Sequence, residues 1–196
     1  MTFFDSKRYN WWNYSPIIPK SFICGFCGNL VSSKEGYYIK SLQTPDMLDG
    51  NIYICPGCQG PNFFPPYLSN KQYPGPSIGN EIKNLPENLK DIYEETRECY
   101  KNNCFTAVVM LCRKILMHIA VDQGEKDGKK FIEYVDYLSN AGFIPPNGKK
   151  WVDHIRSKGN EANHEIVIMK EVDAKDLIGF VEMLLKFVYE FPNMIQ

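Results

Sequence analysis

Residues 24–27 read Cys-Gly-Phe-Cys and residues 55–58 read Cys-Pro-Gly-Cys. Each CxxC turn offers two thiolates, and a tetrahedral Zn²⁺ takes four such ligands. Glycine beside or between the cysteines lets backbone amides turn toward the sulfurs, which offsets their concentrated negative charge. The doubled motif therefore predicts one structural Zn²⁺ bound by Cys24, Cys27, Cys55 and Cys58.

The predicted zinc site is closed, because protein side chains fill all four coordination positions, and a closed site is structural instead of catalytic. The alternatives are two unrelated cysteine pairs or a redox CxxC, although a redox motif needs a βαβ context that the sequence does not show. A fragment of about 40 residues buries too little apolar surface to fold alone, so the metal would stabilise it directly. We expect the other three cysteines to be small core residues of helices: Cys99, Cys104 and Cys112.

Length and composition suit one ordinary domain with a smaller second one. The chain has 196 residues, of which 44% are hydrophobic and 23% charged. Its formal net charge of -1 excludes a bulk polycation that binds nucleic acid non-specifically. The N-terminus lacks the apolar region of a signal peptide, and no apolar run approaches the ~20 residues that span a bilayer. With seven cysteines and no such signal, we expect a cytoplasmic, metal-binding protein with no membrane partner.

The segments around the cysteine pairs predict a small β ribbon and a linker. Residues 37–43 and 51–55 are β-prone, and Asp49-Gly50 supplies turn chemistry, which together predict a hairpin. Residues 1–22 are rich in aromatic side chains and are expected to pack over the ribbon or the helices. The alternative is a strip that stacks on single-stranded nucleic acid. Residues 61–86 hold six prolines and predict a linker without regular elements.

From Pro86 onward, apolar residues recur at helical spacing. This spacing predicts about five helices: Leu85 to Tyr100, Phe105 to Ile119 as the central helix, Phe131 to Leu138, one beginning at Trp151, and Leu177 to Phe191 with Asp173 as N-cap and Pro192 as stop. The predicted fold class is mainly α, with a small β zinc ribbon followed by this bundle. The predicted domains are residues 1–60 (aromatic segment and ribbon), 61–86 (linker) and 87–196 (helical bundle).

The polar stretch from Arg156 to His164 is the candidate for chemistry. On a continuous helix, Arg156, Asn160, Asn163 and His164 fall near one face. A guanidinium, amides and an imidazole on one surface can bind a phosphate and move a proton. Gly159 could instead end the helix and separate these groups. The alternative is a polar network that holds the fourth helix against its neighbours.

The helical part resembles a bacterial family known as the domain of unknown function numbered 4145. The resemblance covers residues 24 to 192 and rests on these features: Leu85-Pro86, Tyr93 to Cys99, Ala107 with Arg113 and Leu116, Gly142 with Ile144-Pro145, Ile155-Arg156 with Gly159-Asn160 and His164, and Tyr189 with Pro192. That family is similar to the HEPN helical bundles, which are common in bacterial defence and toxin systems. The resemblance implies a HEPN-like bundle that forms a homodimer.

Active HEPN proteins are metal-independent ribonucleases that use an Arg and a His. The resemblance places these roles on Arg156 and His164, although the seven residues between the pair are one more than is usual. In a ribonuclease of this kind, Asn160 and Asn163 would orient the phosphate or the imidazole. Many HEPN-like domains instead bind partners. We therefore predict a zinc-binding interaction module in bacterial defence or nucleic-acid metabolism, with an RNA or protein partner. The alternative is an endoribonuclease in which His164 is the general acid or base.

Overall fold

The computed structural model of the protein describes residues 2–5, 7–40, 42, 48–66, 71–145, 148, 151, 153 and 168–194. The chain divides into two compact units, Met1–Ser77 and Ile78–Gln196. We call them the N-terminal unit and the helical unit.

The N-terminal unit is built on an antiparallel sheet whose strands follow chain order. The strands are β1 (Ser15–Ile23), β2 (Leu30–Lys40), β3 (Leu48–Ile54) and β4 (Pro61–Phe64). One cysteine pair follows β1 and the other follows β3, so each lies at the tip of a hairpin. The rings of Phe22, Tyr53 and Phe64 meet at centroid distances of 5.3–5.8 Å and form the apolar centre of the sheet.

The predicted fold class is wrong, because the chain is not mainly α with a small ribbon and a HEPN-like bundle of about five helices. The structure has four helices and a four-stranded antiparallel sheet, with 43% helix and 19% strand, over the part of the chain described. Residues 15–22 were predicted as part of the aromatic segment that packs over the ribbon or the helices, and residues 61–64 as part of the proline-rich linker. Both segments are edge strands, where proline is tolerated because one side of the strand has no neighbour to bond, and the register of β1 shifts between Pro16 and Lys20.

The hairpin prediction holds for β2 and β3, but its turn is misplaced. Gly50 lies inside β3 and pairs with Ile39, so Asp49-Gly50 is not the turn. The loop between the two strands falls on residues 41–47, and of these the structure describes only residue 42. The domain boundaries at 60 and 86 stay a prediction.

The helical unit contains α1 (Glu87–Lys101), α2 (Phe105–Asp122), α3 (Phe131–Asn140) and α4 (Glu171–Leu185). A π-helix (Lys186–Glu190) and a 3-10 turn (Phe191–Asn193) extend α4. The helix α2 contacts α1, α3 and α4, which confirms it as the central helix. Its apolar face is fully buried, with Val108, Ile115 and Leu116 at 0% exposure, and this burial drives the packing.

Two details of the predicted helices change. Helix α4 begins at Glu171, so Asp173 is the third residue of its first turn and not the N-cap; its carboxylate accepts a hydrogen bond from the backbone N–H of Lys170 at 3.2 Å. The predicted fourth helix from Trp151 falls mostly on residues 154–167, which lie outside the described residues. None of the described helices has the length and apolar character that crossing a bilayer requires.

Candidate metal centre

The two cysteine motifs form nearly identical turns, which we call the first knuckle (residues 24–29) and the second knuckle (residues 55–60). In the first, the N–H of Cys24 bonds to the carbonyl of Asn29, and the N–H of Gly28 to the carbonyl of Cys24, both at 2.9 Å. The second repeats this pattern, with the N–H of Cys55 bonded to Gly60 O at 3.0 Å and that of Gln59 to Cys55 O at 2.9 Å. The two hairpin tips therefore present their sulfurs in the same way.

The fifth position of each knuckle has left-handed backbone. Glycine occupies it in the first knuckle, where Gly28 has φ +72°, but Gln59 occupies it in the second, with φ +65°. A residue with a Cβ pays on the order of 1–2 kcal/mol for this conformation, and glycine pays almost none. The glutamine is therefore a strained choice at a position where glycine would suffice.

The four sulfurs are grouped as a metal site requires. The Sγ atoms of Cys24 and Cys58 lie 3.6 Å apart, those of Cys27 and Cys55 lie 3.9 Å apart, and all four are within 4.8 Å of one another. A tetrahedral ion with metal–sulfur bonds of about 2.3 Å would separate its sulfurs by about 3.8 Å. The cysteines thus fit a four-thiolate metal site, with Cys24, Cys55 and Cys58 at no more than 2% exposure.

Hydrogen-bond donors surround the sulfurs. The backbone N–H of Phe26 points to Cys24 Sγ and that of Gly60 to Cys58 Sγ, each at 3.4 Å. Burial raises the pKa of Cys58, but at Cys24 the donated hydrogen bonds outweigh burial and lower the pKa to about 7. A lowered pKa favours the thiolate of Cys24, and a thiolate is the form that binds a metal ion.

Asn62 joins the two knuckles and is the residue that the sequence analysis missed. Its side chain is fully buried on β4, donates to Cys24 Sγ at 3.5 Å and to Gly60 O at 3.0 Å, and accepts from the N–H of Gly25 at 2.9 Å. Gln72 donates to its carbonyl oxygen at 3.1 Å. No spacing rule marks an asparagine in a proline-rich segment as a partner of cysteines, so only the strand position of Asn62 could have indicated it.

The described residues between 2 and 14, which we call the aromatic arm, pack on the second knuckle. The N–H of Phe3 bonds to Cys58 O at 2.6 Å, and the indole N–H of Trp11 bonds to Gln59 O at 2.8 Å. The ring of Phe3 also packs edge-on against Phe26 of the first knuckle at 4.9 Å. The prediction that the aromatic segment packs against other parts of the chain is confirmed for these contacts with the ribbon.

The remaining cysteines follow the prediction in part. Cys112 is fully buried on α2 and Cys99 is partly buried on α1, as expected of small core residues. Cys104 is exposed, because it lies just before α2 and not on its buried face. Among the described residues, the four knuckle cysteines form the one group of three or more side chains able to hold a metal ion.

The predicted catalytic residues Arg156, Asn160 and His164 lie outside the described residues. Their roles stay a prediction.

Comparison with known families gives a match over the second half of the chain. The sequence model of a family described as "Domain of unknown function (DUF4145)" matches residues 94–195. The match begins within α1 and does not include the two knuckles. Searches among curated proteins and among solved structures found no significant match.

Proposed function

The chain belongs to the DUF4145 family of domains of unknown function, and we propose that it is an interaction module. One structural Zn²⁺ would stabilise its N-terminal unit. Cys24, Cys27, Cys55 and Cys58 would hold the ion. Bound zinc would supplement the small hydrophobic cluster of this unit.

The observation that carries the proposal is the sulfur geometry. Four cysteine sulfurs within 4.8 Å of one another have the spacing of ligands around one tetrahedral ion, and a bound cation would neutralise their thiolates. Zn²⁺ is the ion that combines tetrahedral geometry, thiolate preference and the absence of redox chemistry. Because all four ligands come from the protein, no coordination position is left for a substrate, which supports a binding role over a catalytic one.

The proposal is tested by elemental analysis of protein purified under reducing conditions without added metal. We expect one zinc per chain, and no stoichiometric zinc in Cys24→Ser or Cys55→Ser. The exposed Cys104→Ser is the matched control and should keep its zinc. Protein that carries no zinc, or that carries iron instead, would contradict the proposed metal.

The finer parts of the predicted function rest on the family resemblance. On the basis of that resemblance, we propose that the chain forms a homodimer and acts in bacterial defence or nucleic-acid metabolism. The ribonuclease alternative depends on Arg156 and His164, and a test of it is given in the Discussion.

A further inference from the structure

A cleft of about 570 Å³ opens in the N-terminal unit beside the end of the β2–β3 pairing. The last pair of these strands toward the knuckles is Gly36 with Tyr53. Beyond it, β3 ends at Ile54 and the chain turns into the second knuckle, whereas β2 extends back to the first. The cleft lies between residues 32–35 of β2 and the second knuckle, and its volume is within the range of about 300–1,000 Å³ that is typical of ligand pockets.

Aromatic side chains of the arm form one wall of this cleft, namely Phe4, Trp11 and Tyr14. The Trp11 ring is held by its hydrogen bond to Gln59 O and by Phe3, which stacks on it at a 6.3 Å centroid distance and a 13° interplanar angle. Its N–H is already bonded, so Trp11 has no free donor to offer a ligand, and its ring also contacts Phe4 at 5.9 Å and Tyr37 at 6.1 Å. A fixed cluster of aromatic rings that lines a cleft suits stacking on a flat partner.

Two opposite charges line the cleft beside these rings. Lys34 and Glu35 are both exposed, and neither forms an ion pair within the described ranges. An ammonium without a carboxylate partner can bind a phosphate. A free carboxylate can accept a hydrogen bond from an exocyclic amino group of a base.

Gln59 also lines the cleft and is the residue held at φ +65°. The first knuckle makes the equivalent turn with Gly28, so the turn itself does not require a side chain. Non-glycine residues kept in a strained conformation concentrate at functional sites. The strained residue of the second knuckle therefore lies at the cleft.

We propose that this cleft binds one nucleotide of a single-stranded nucleic acid. The base stacks on the aromatic wall, Glu35 accepts from its exocyclic amino group, and Lys34 contacts the adjacent phosphate. The inference rests on the proposed function, since it names the partner that the zinc-stabilised N-terminal unit binds. The formal net charge of -1 excludes binding by bulk charge, so stacking has to supply most of the affinity.

The test is fluorescence anisotropy of the full, zinc-loaded chain with end-labelled 12-residue homopolymers of C, A and U, as RNA and as DNA with T in place of U. We expect C and A strands to bind more tightly than U or T, because uracil and thymine lack an exocyclic amino group. One or two phosphate contacts predict a shallow dependence of log affinity on log salt, with a slope of about -0.7 per contact. The RNA and DNA arms show which strand the cleft prefers.

Variants assign the binding to the cleft. Trp11→Ala should weaken binding by about 5- to 150-fold, the range reported for loss of one stacked base, and Lys34→Ala should reduce the salt slope by about 0.7. The matched control is Lys90→Ala, which removes the same charge from an exposed position of α1 and should change nothing. Gln59→Gly relieves the left-handed strain and keeps the backbone carbonyl that accepts from Trp11, but it removes a side chain that lines the cleft, so we expect unchanged or higher thermal stability together with weaker binding.

The outcomes separate this inference from the proposed function. If the wild type holds zinc but binds no single strand, or if Trp11→Ala and Lys34→Ala bind like the wild type with zinc retained, the inference is overturned and the structural zinc stands. If the cleft variants weaken binding of a peptide but of no nucleic acid, the inference is equally overturned. If the wild type holds no zinc, the proposed function is overturned, and the inference that rests on it is overturned as well.

Discussion

The two units of this chain are stabilised by different interactions. Among the described residues, the cluster of buried hydrophobic residues in the helical unit has 25 members, whereas the cluster in the N-terminal unit has six, and three of those six are the knuckle cysteines Cys24, Cys55 and Cys58. Apolar burial contributes about 25 cal/mol per Å², so the helical unit has a sufficient driving force of its own. The N-terminal unit has, in the place of further apolar side chains, four cysteines that could hold a metal ion. Changes in metal and changes in core volume should therefore act on different units.

The largest effect is expected from losing the metal. Cys55→Ser, or chelation of the wild type, should unfold the four-stranded sheet. Binding of a structural zinc ion contributes about 10–16 kcal/mol to the folding free energy of small zinc domains. Hydrogen exchange monitored by mass spectrometry should show loss of protection across β1 to β4 and retained protection in α2. Far-UV circular dichroism should keep its helical signal.

The control for this prediction is Cys104→Ser, which removes an exposed thiol. A chelated protein that keeps its sheet protected would show that the apolar centre of Phe22, Tyr53 and Phe64 suffices. Simultaneous loss of the helices would show that the two units are one cooperative body.

A core truncation should give the reverse result. Leu116→Ala removes a side chain with 0% exposure from the central helix and should destabilise the helical unit by about 2–5 kcal/mol. Denaturant unfolding followed by circular dichroism measures the loss, and the zinc content should stay at one per chain. Met110→Ala, on the same helix but 44% exposed, is the matched control and should cost no more than about 0.5 kcal/mol. Zinc loss in Leu116→Ala would refute the separation of the two units.

A smaller effect is expected from the residue that joins the knuckles. Asn62→Ala removes the donor to Cys24 Sγ and the acceptor for Gly25 N–H, and loss of such a partner typically weakens metal binding by about 10–100-fold. Competition with a chromophoric zinc chelator measures the change. Asn29→Ala removes an exposed asparagine side chain of the first knuckle and should bind zinc like the wild type. Equal zinc affinities for Asn62→Ala and the wild type would mean that backbone donors alone support the thiolates.

The smallest effect is expected at His164. In an interaction module, neither the wild type nor His164→Ala should cleave RNA in a buffer that contains EDTA, as judged on a denaturing gel. Cleavage by the wild type that His164→Ala abolishes would establish the ribonuclease alternative. The helical unit would then contain the catalytic site of the chain.

Sequence reasoning found the cysteines because metal geometry restricts ligand spacing strongly, and two CxxC pairs satisfy that restriction in few other ways. The central helix was equally predictable, since Val108, Ile115 and Leu116 repeat at helical spacing. The edge strands were missed for a physical reason. Proline disfavours a strand only where its missing N–H would have donated a hydrogen bond to a neighbouring strand. The sequence does not show which strands have a neighbour on both sides.

Other parts of the site depend on long-range placement. Asn62 contacts Cys24 across 38 positions of the chain, and Trp11 contacts Gln59 across 48. Neither contact follows from local propensity. The strain at Gln59 was equally hidden, because the sequence alone does not reveal that its position requires left-handed backbone.

The same prolines that concealed β1 have a consequence for how this sheet meets other proteins. An edge strand with regular free N–H and C=O groups can recruit a further chain and start aggregation. On β1, Pro16 and Pro19 remove two donors, and the register is irregular between Pro16 and Lys20. On the opposite edge, Tyr73 bridges Phe63 and occupies part of β4. Both edge strands are thus poor templates for the addition of a strand from another molecule. The N-terminal unit can therefore expose aromatic side chains without polymerising through the edges of its sheet.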